Sequence, residues 1–127
     1  MRDILARMRH SLSDPFGPDG RSGMRFEGGA PLPGDVLSVH ILGFRHYGIY
    51  AGQNSVIDSS RRDGCVRYVT LARFAGERRH IRNHGLTGPL SRGEVITRAV
   101  GAVGQPWRLH DRNCQHFARY CAGLEGR

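Results

Sequence analysis

Apolar and polar positions change period twice along this chain, and those changes mark out its elements. Val36-Leu37-Ser38-Val39-His40, opened by Gly34-Asp35, reads as a first strand. Aromatic and β-branched residues crowd Phe44–Ala51 and then Ser55–Asp58 on either side of Gly52-Gln53-Asn54, the pattern of a hairpin. Cys65–Thr70 reads as a further strand, Leu71–Phe74 as one helical turn capped by Thr70, and Arg79–Arg82 as a short edge strand. The period then lengthens. Ser91 and Glu94 form a capping box, Val95, Ile96, Ala99, Val100 and Val103 make an apolar stripe, and Gly104 followed by Pro106 stops the helix. In a last helix Cys114, Phe117, Ala118 and Cys121 share one face, Asp111 or Asn113 serves as N-cap, and Gly123 ends it. Before all this, residues 2–12 read as a short basic helix with Ile4, Leu5, Met8 and Leu12 on one side. Residues 13–33 are rich in Gly, Pro, Asp and Ser and read as a loop or linker. A strand-rich middle followed by two helices predicts an α+β domain beginning near Gly34.

Composition narrows the picture only a little. A chain of 127 residues with 18 glycines and a 39% hydrophobic share fits one loop-rich domain able to bury its own core. The net charge of +8 and pI near 10.6 imply attraction to polyanions without choosing among them. All 19 basic residues are arginine, and Arg61, Arg62, Arg67, Arg73, Arg78, Arg79 and Arg82 crowd one stretch against only Asp63 and Glu77. A solvated face is the default reading of such a run. Three cysteines, with no CxxC among them, exclude a disulfide framework and suit a reducing compartment. With no apolar run of about 18 residues and no signal-peptide h-region, a soluble, cytoplasmic protein is expected. His80 and His84 are the one pair at ligand spacing, too little for a metal site, so no metal is expected.

The chemistry centres on Cys114. On either choice of N-cap it falls in the first helical turn, among backbone N–H groups without intrahelical partners, a field that favours thiolate over thiol. A buried structural cysteine is the ordinary alternative. A nucleophile also needs a histidine base, and the base an orienting group. If Gly52-Gln53-Asn54 is a three-residue loop, Ala51 pairs with Ser55, Gly48 lies opposite Asp58, and His46 is diagonal to Asp58 on one face; a two-residue loop sends them to opposite faces. Gly48, between His46 and Tyr50, leaves room for the cysteine helix to approach.

Three stretches, Pro33-Gly34-Asp35-Val36-Leu37, His46-Tyr47-Gly48-Ile49-Tyr50-Ala51-Gly52 and Asn113-Cys114-Gln115-His116-Phe117, resemble in order the motifs of the lecithin:retinol acyltransferase-like family of permuted papain-like thiol enzymes. The resemblance covers residues 33–122, and Glu94–Gln105 is similar to the family's helix before the cysteine loop. It implies a circularly permuted papain-like fold, a small antiparallel sheet packed on two or three helices, with residues 1–32 as a basic segment and linker and 33–127 as the domain. It also implies Cys114 as nucleophile, His46 as general base and then acid, and Asp58 as third member of the triad, where the lipid branch usually has a second histidine. Gln115 stands where Glu is more usual. Asn113 and Tyr50 are expected to contact substrate or oxyanion. No cofactor is implied, and the C-terminal membrane anchor of many animal members is not expected. The function this predicts is a thiol acyl hydrolase or acyltransferase on acyl lipids such as phospholipids, touching an anionic membrane through the Arg-rich middle. A peptide or isopeptide amidase is the alternative within enzymes. A non-catalytic module for RNA or an anionic surface is the alternative outside them, although no nucleic-acid motif supports it.

Overall fold

In a computed structural model, residues 23–109 and 113–124 are described. The basic helix expected at 2–12 and the candidate cap Asp111 lie outside them. Among the described residues six strands form one sheet: β1 (Arg25–Glu27), β2 (Val36–Ile41), β3 (Phe44–Gly52), β4 (Ser55–Ser60), β5 (Cys65–Thr70) and β6 (His80–Gly85), in the spatial order β1-β6-β2-β3-β4-β5. Among the described residues three α-helices pack on it: α1 (Leu71–Ala75), α2 (Arg92–Ala102) and α3 (Cys114–Ala122). This is a small α+β architecture.

Alternation along the strands serves two cores. Val36, Ile49, Ile57, Val66 and Tyr68 on one face meet Val95, Ala99 and Ala102 of α2 and Phe117, Ala118 and Cys121 of α3. Leu37, Val39, Tyr50, Val56, Val69 and Ile81 on the other meet Leu71, Phe74 and Ala75 of α1. The capping signals act as the sequence predicts. Ser91 and Glu94 satisfy each other's backbone at the start of α2, Thr70 accepts from Arg73 N–H at α1, and Gly123 ends α3 in the left-handed region. Arg98 fastens α2 to α3, donating to the Tyr120 carbonyl at 2.9 Å with its guanidinium 4.9 Å over the Tyr120 ring.

Two expectations for the sheet change. The stretch read as loop contains β1, which pairs parallel with β6, so the sheet is mixed rather than wholly antiparallel. Arg79–Arg82 is accordingly not an edge strand: β6 runs His80–Gly85 and lies inside, between β1 and β2. Arg-Phe-Glu offers a single apolar residue, too short a pattern to betray a strand. The opposite edge, at β5, is covered by the chain leaving α2, where Val66 bonds Gly104 and Gln105 and Gly64 accepts from Trp107 N–H.

The β3–β4 hairpin reaches the expected register by another route. Its turn has two residues, Gln53 and Asn54, both left-handed (φ 52° and 58°), closed by Gly52 opposite Ser55. Ala51 is then an extra residue between the Tyr50–Val56 and Gly52–Ser55 pairs, a β-bulge that shifts parity by one and puts Gly48 opposite Asp58. What comes close at Gly48 is not the cysteine helix but α1. A Cβ there would lie 2.9 Å from the Phe74 ring and 2.6 Å from Val56, while α3 packs on the opposite face.

Candidate active site

Asn113 starts α3, its side-chain oxygen accepting from His116 N–H at 3.0 Å, which makes Cys114 the first helical residue. The sheet meets that helix end where it splays. The β3–β4 ladder stops at Gly48–Asp58, so Phe44–Tyr47 pair with β2 alone and their β4 side is open. Cys114 fills this opening. Its sulfur lies 3.9 Å from the Arg45 carbonyl oxygen, which a neutral thiol would face as donor, and the neighbouring His46 ring and Tyr47 N–H draw its pKa down. The latter two partners suit a thiolate.

His46 and Asp58 share one face of the hairpin, and His46 Nε2 is 2.7 Å from Asp58 Oδ2. Asp58 is completely buried, and a guanidinium completes its surroundings: Arg67 Nε donates to Oδ1 at 2.7 Å and an Nη to Oδ2 at 3.1 Å, while its other Nη reaches Asp63 at 3.0 Å. The Phe74 ring lies 5.5 Å from the imidazole, walling it from the second core. Imidazole, carboxylate and guanidinium thus form one hydrogen-bonded line, and Cys114 lines the same cleft as its His46 end.

Its charges follow from these contacts. Burial opposes a charged His46, but the hydrogen bonds to Asp58 and Cys114 and their negative charge prevail and raise its pKa to about 9. Burial pushes the Cys114 thiol up, yet the bonds from His46 and the Tyr47 N–H pull it below its ordinary value. Asp58 is held below the usual carboxylate range because His46 and Arg67 outweigh its burial. Both shifts, His46 upward and Cys114 downward, act in the direction of a thiolate–imidazolium pair.

A cleft of about 280 Å³ opens over the pair, walled by Phe44, Tyr47, Trp107 and Leu109 with Arg61, whose guanidinium lies 5.7 Å from the Trp107 ring. Among known proteins, the family model for lecithin retinol acyltransferase matches residues 30–125. The chain belongs to this family. Nothing among curated proteins matches it. Members of the lecithin retinol acyltransferase family are acyltransferases and thiol hydrolases, and that class of activity is the one membership suggests here. Among the described residues no helix is long and apolar enough to cross a membrane, and no cluster of three His, Cys, Asp or Glu is placed to hold a metal ion.

Cys114, His46 and Asp58 therefore come together, while the other expected site residues fare differently. Asn113 lines the cleft, but its oxygen caps the helix and its amide donates to the Leu109 carbonyl at 3.0 Å. Tyr50 is buried in the second core, its hydroxyl accepting from Asn54 N–H at 3.1 Å, and is not among the cleft's walls. The arginine run does not form one face: Arg67 is consumed by Asp58 and Asp63, Arg61 sits at the cleft, and Arg82 lies across the sheet on β6. Arg67 was hidden within that run. Its pairing with Asp58 follows from the β4–β5 register, in which the two lie directly opposite. The family's opening motif has a structural role. Buried Asp35 ties β2 to Arg92 of α2 and Asn83 of β6, and Gly34 (φ 95°) lets Arg92 come so close that a Cβ would meet its backbone at 3.0 Å.

Proposed function

We propose that the protein is a cysteine-dependent acyl hydrolase or acyltransferase acting on acyl-lipid esters, with Cys114, His46 and Asp58 as its catalytic triad. The observation that carries this reading is His46, which bonds a buried, arginine-clamped carboxylate and shares its cleft with the helix-start thiol of Cys114. The thiolate attacks the ester carbonyl, and the backbone N–H of Cys114, without an intrahelical partner in the first turn, supports the oxyanion. Collapse of the tetrahedral intermediate breaks the ester C–O bond; the imidazolium of His46 gives its proton to the leaving alcohol, and a thioester remains. Neutral His46 then takes a proton from water, an alcohol or an amine as it attacks the thioester. The thiolate leaves, and the product is an acid, an ester or an amide. The aromatic and aliphatic walls of the cleft favour an acyl chain over a peptide.

Intact-mass spectrometry after incubation with mixed phospholipids, and separately with a peptide library, tests the reading. An acyl mass added by the lipids and absent in Cys114→Ala, with an unchanged far-UV spectrum, is the expected result. An adduct from peptides alone would make the protein an amidase. Equal labelling of Cys114→Ala would remove the nucleophile assignment.

A further inference from the structure

The β2–β3 hairpin displays apolar residues where its turn chemistry calls for polar ones. Leu42 and Gly43 form a two-residue turn with φ 45° and 90°, the geometry in which the first position favours Asn, Asp or Gly. A leucine held left-handed is strained, and here it is also 90% exposed, so neither local conformation nor packing accounts for it. The pair closing the turn, Ile41 and Phe44, is exposed as well, 37% and 55%. Leu109, 62% exposed, joins Phe44 on the rim of the Cys114 cleft.

Immediately behind this tip the sheet turns basic. His40 lies opposite Arg45 and Ser38 opposite Arg82, and residues opposite each other share a face. Arg45 donates to the Ser38 hydroxyl at 3.3 Å, and together with Arg82, His40 and His80 lines a cavity of about 200 Å³. Its single carboxylate, Glu27, lies 3.7 Å from His80. Arg45 also lines the Cys114 cleft, so apolar tip, basic pocket and thiol are contiguous.

We propose that this hairpin docks the protein on a lipid bilayer carrying anionic head groups, Leu42, Ile41 and Phe44 entering the acyl region while Arg45 and Arg82 take head-group phosphates. An exposed apolar tip backed by cations matches the layering of such an interface. The proposal rests on the acyl-lipid reading, since it sets a lipid ester at the mouth of the cleft.

Co-sedimentation with phosphatidylcholine vesicles, with and without about a third of phosphatidylserine, tests it in the Cys114→Ala background, where no turnover disturbs the lipid. Leu42→Asn should weaken partition to both vesicles about tenfold, without lowering the thermal midpoint, because asparagine suits the left-handed position better than leucine. Arg82→Gln should weaken partition by about fivefold, and only where phosphatidylserine is present. Undiminished vesicle binding by Leu42→Asn would overturn the proposal. So would a wild-type self-association that Leu42→Asn abolishes while vesicle binding stays intact, for then the tip would serve a second copy of the chain. Either failure leaves the Cys114 adduct experiment standing, because partition is read without chemistry.

Discussion

Replacing Arg67 by leucine should cost both stability and the balance of charge at the site. Asp58 has no solvent exposure, and Arg67 gives it two charge-assisted hydrogen bonds, at 2.7 and 3.1 Å. Removing one partner from a buried ion pair costs about 3–5 kcal/mol. The Arg67 side chain is 16% exposed, so water can replace part of it. The second pair, with Asp63, is more exposed and adds less than about 1 kcal/mol. A loss of about 3 kcal/mol follows, which for a domain of this size lowers the thermal midpoint by about 10–15 °C. The pH dependence adds a sign. Arg67 helps hold the Asp58 pKa down, so the stability it lends is present above the unfolded carboxylate value of about 3.9 and is lost as pH falls through the lower folded value. The gap between wild type and variant should therefore narrow below about pH 4. His46, relieved of a competing cation, should titrate above its present value of about 9, moving the basic limb of turnover upward. Thermal melts from pH 3 to 7 and a pH–rate profile measure these effects. An unchanged midpoint at pH 7, or a basic limb that moves downward, would refute the reasoning.

Alkylation by iodoacetamide should find Cys114 reactive well below pH 8.5, where an ordinary thiol slows about tenfold per pH unit. His46→Ala should move that profile upward, since burial then acts on the thiol with less opposition. Gly48→Ala should destabilise by about 1–3 kcal/mol in denaturant titration, because the added methyl meets Val56 and Phe74 inside ordinary contact distance.

What the sequence made legible is what is encoded locally. The capping box at Ser91, the Thr70 and Gly123 caps and both helical stripes depend on residues within a few positions of one another, and the structure keeps them all. The opposition of Gly48 and Asp58 was legible too, though through a miscounted turn, since a bulge at Ala51 leaves no mark in residue type. Long-range pairing was not. Arg25–Glu27 is a strand only because β6 is there to receive it, and Arg67 looks like any surface arginine until β4 and β5 are aligned. The cleft was equally hidden: it exists because β3 outruns its ladder with β4, and its walls are drawn from β3, from β4 and from the segment between α2 and α3.

The extra residue at Ala51 makes the spacing between His46 and Asp58 a matter of odd and even. With the same two-residue turn and no bulge, Gly52 opposite Ser55 would carry Gly48 opposite Ser59, and the imidazole and carboxylate would lie on opposite sides of the sheet. Deleting Ala51 itself would remove the bulge and keep Tyr50–Val56, Ile49–Ile57 and Gly48–Asp58 opposite each other, whereas deleting one residue of β3 between His46 and Tyr50 would turn the imidazole to the other side of the sheet. What ties imidazole to carboxylate is thus the count of residues along the two strands, and a grafted turn of any length that keeps Gly52 opposite Ser55 leaves the pair intact.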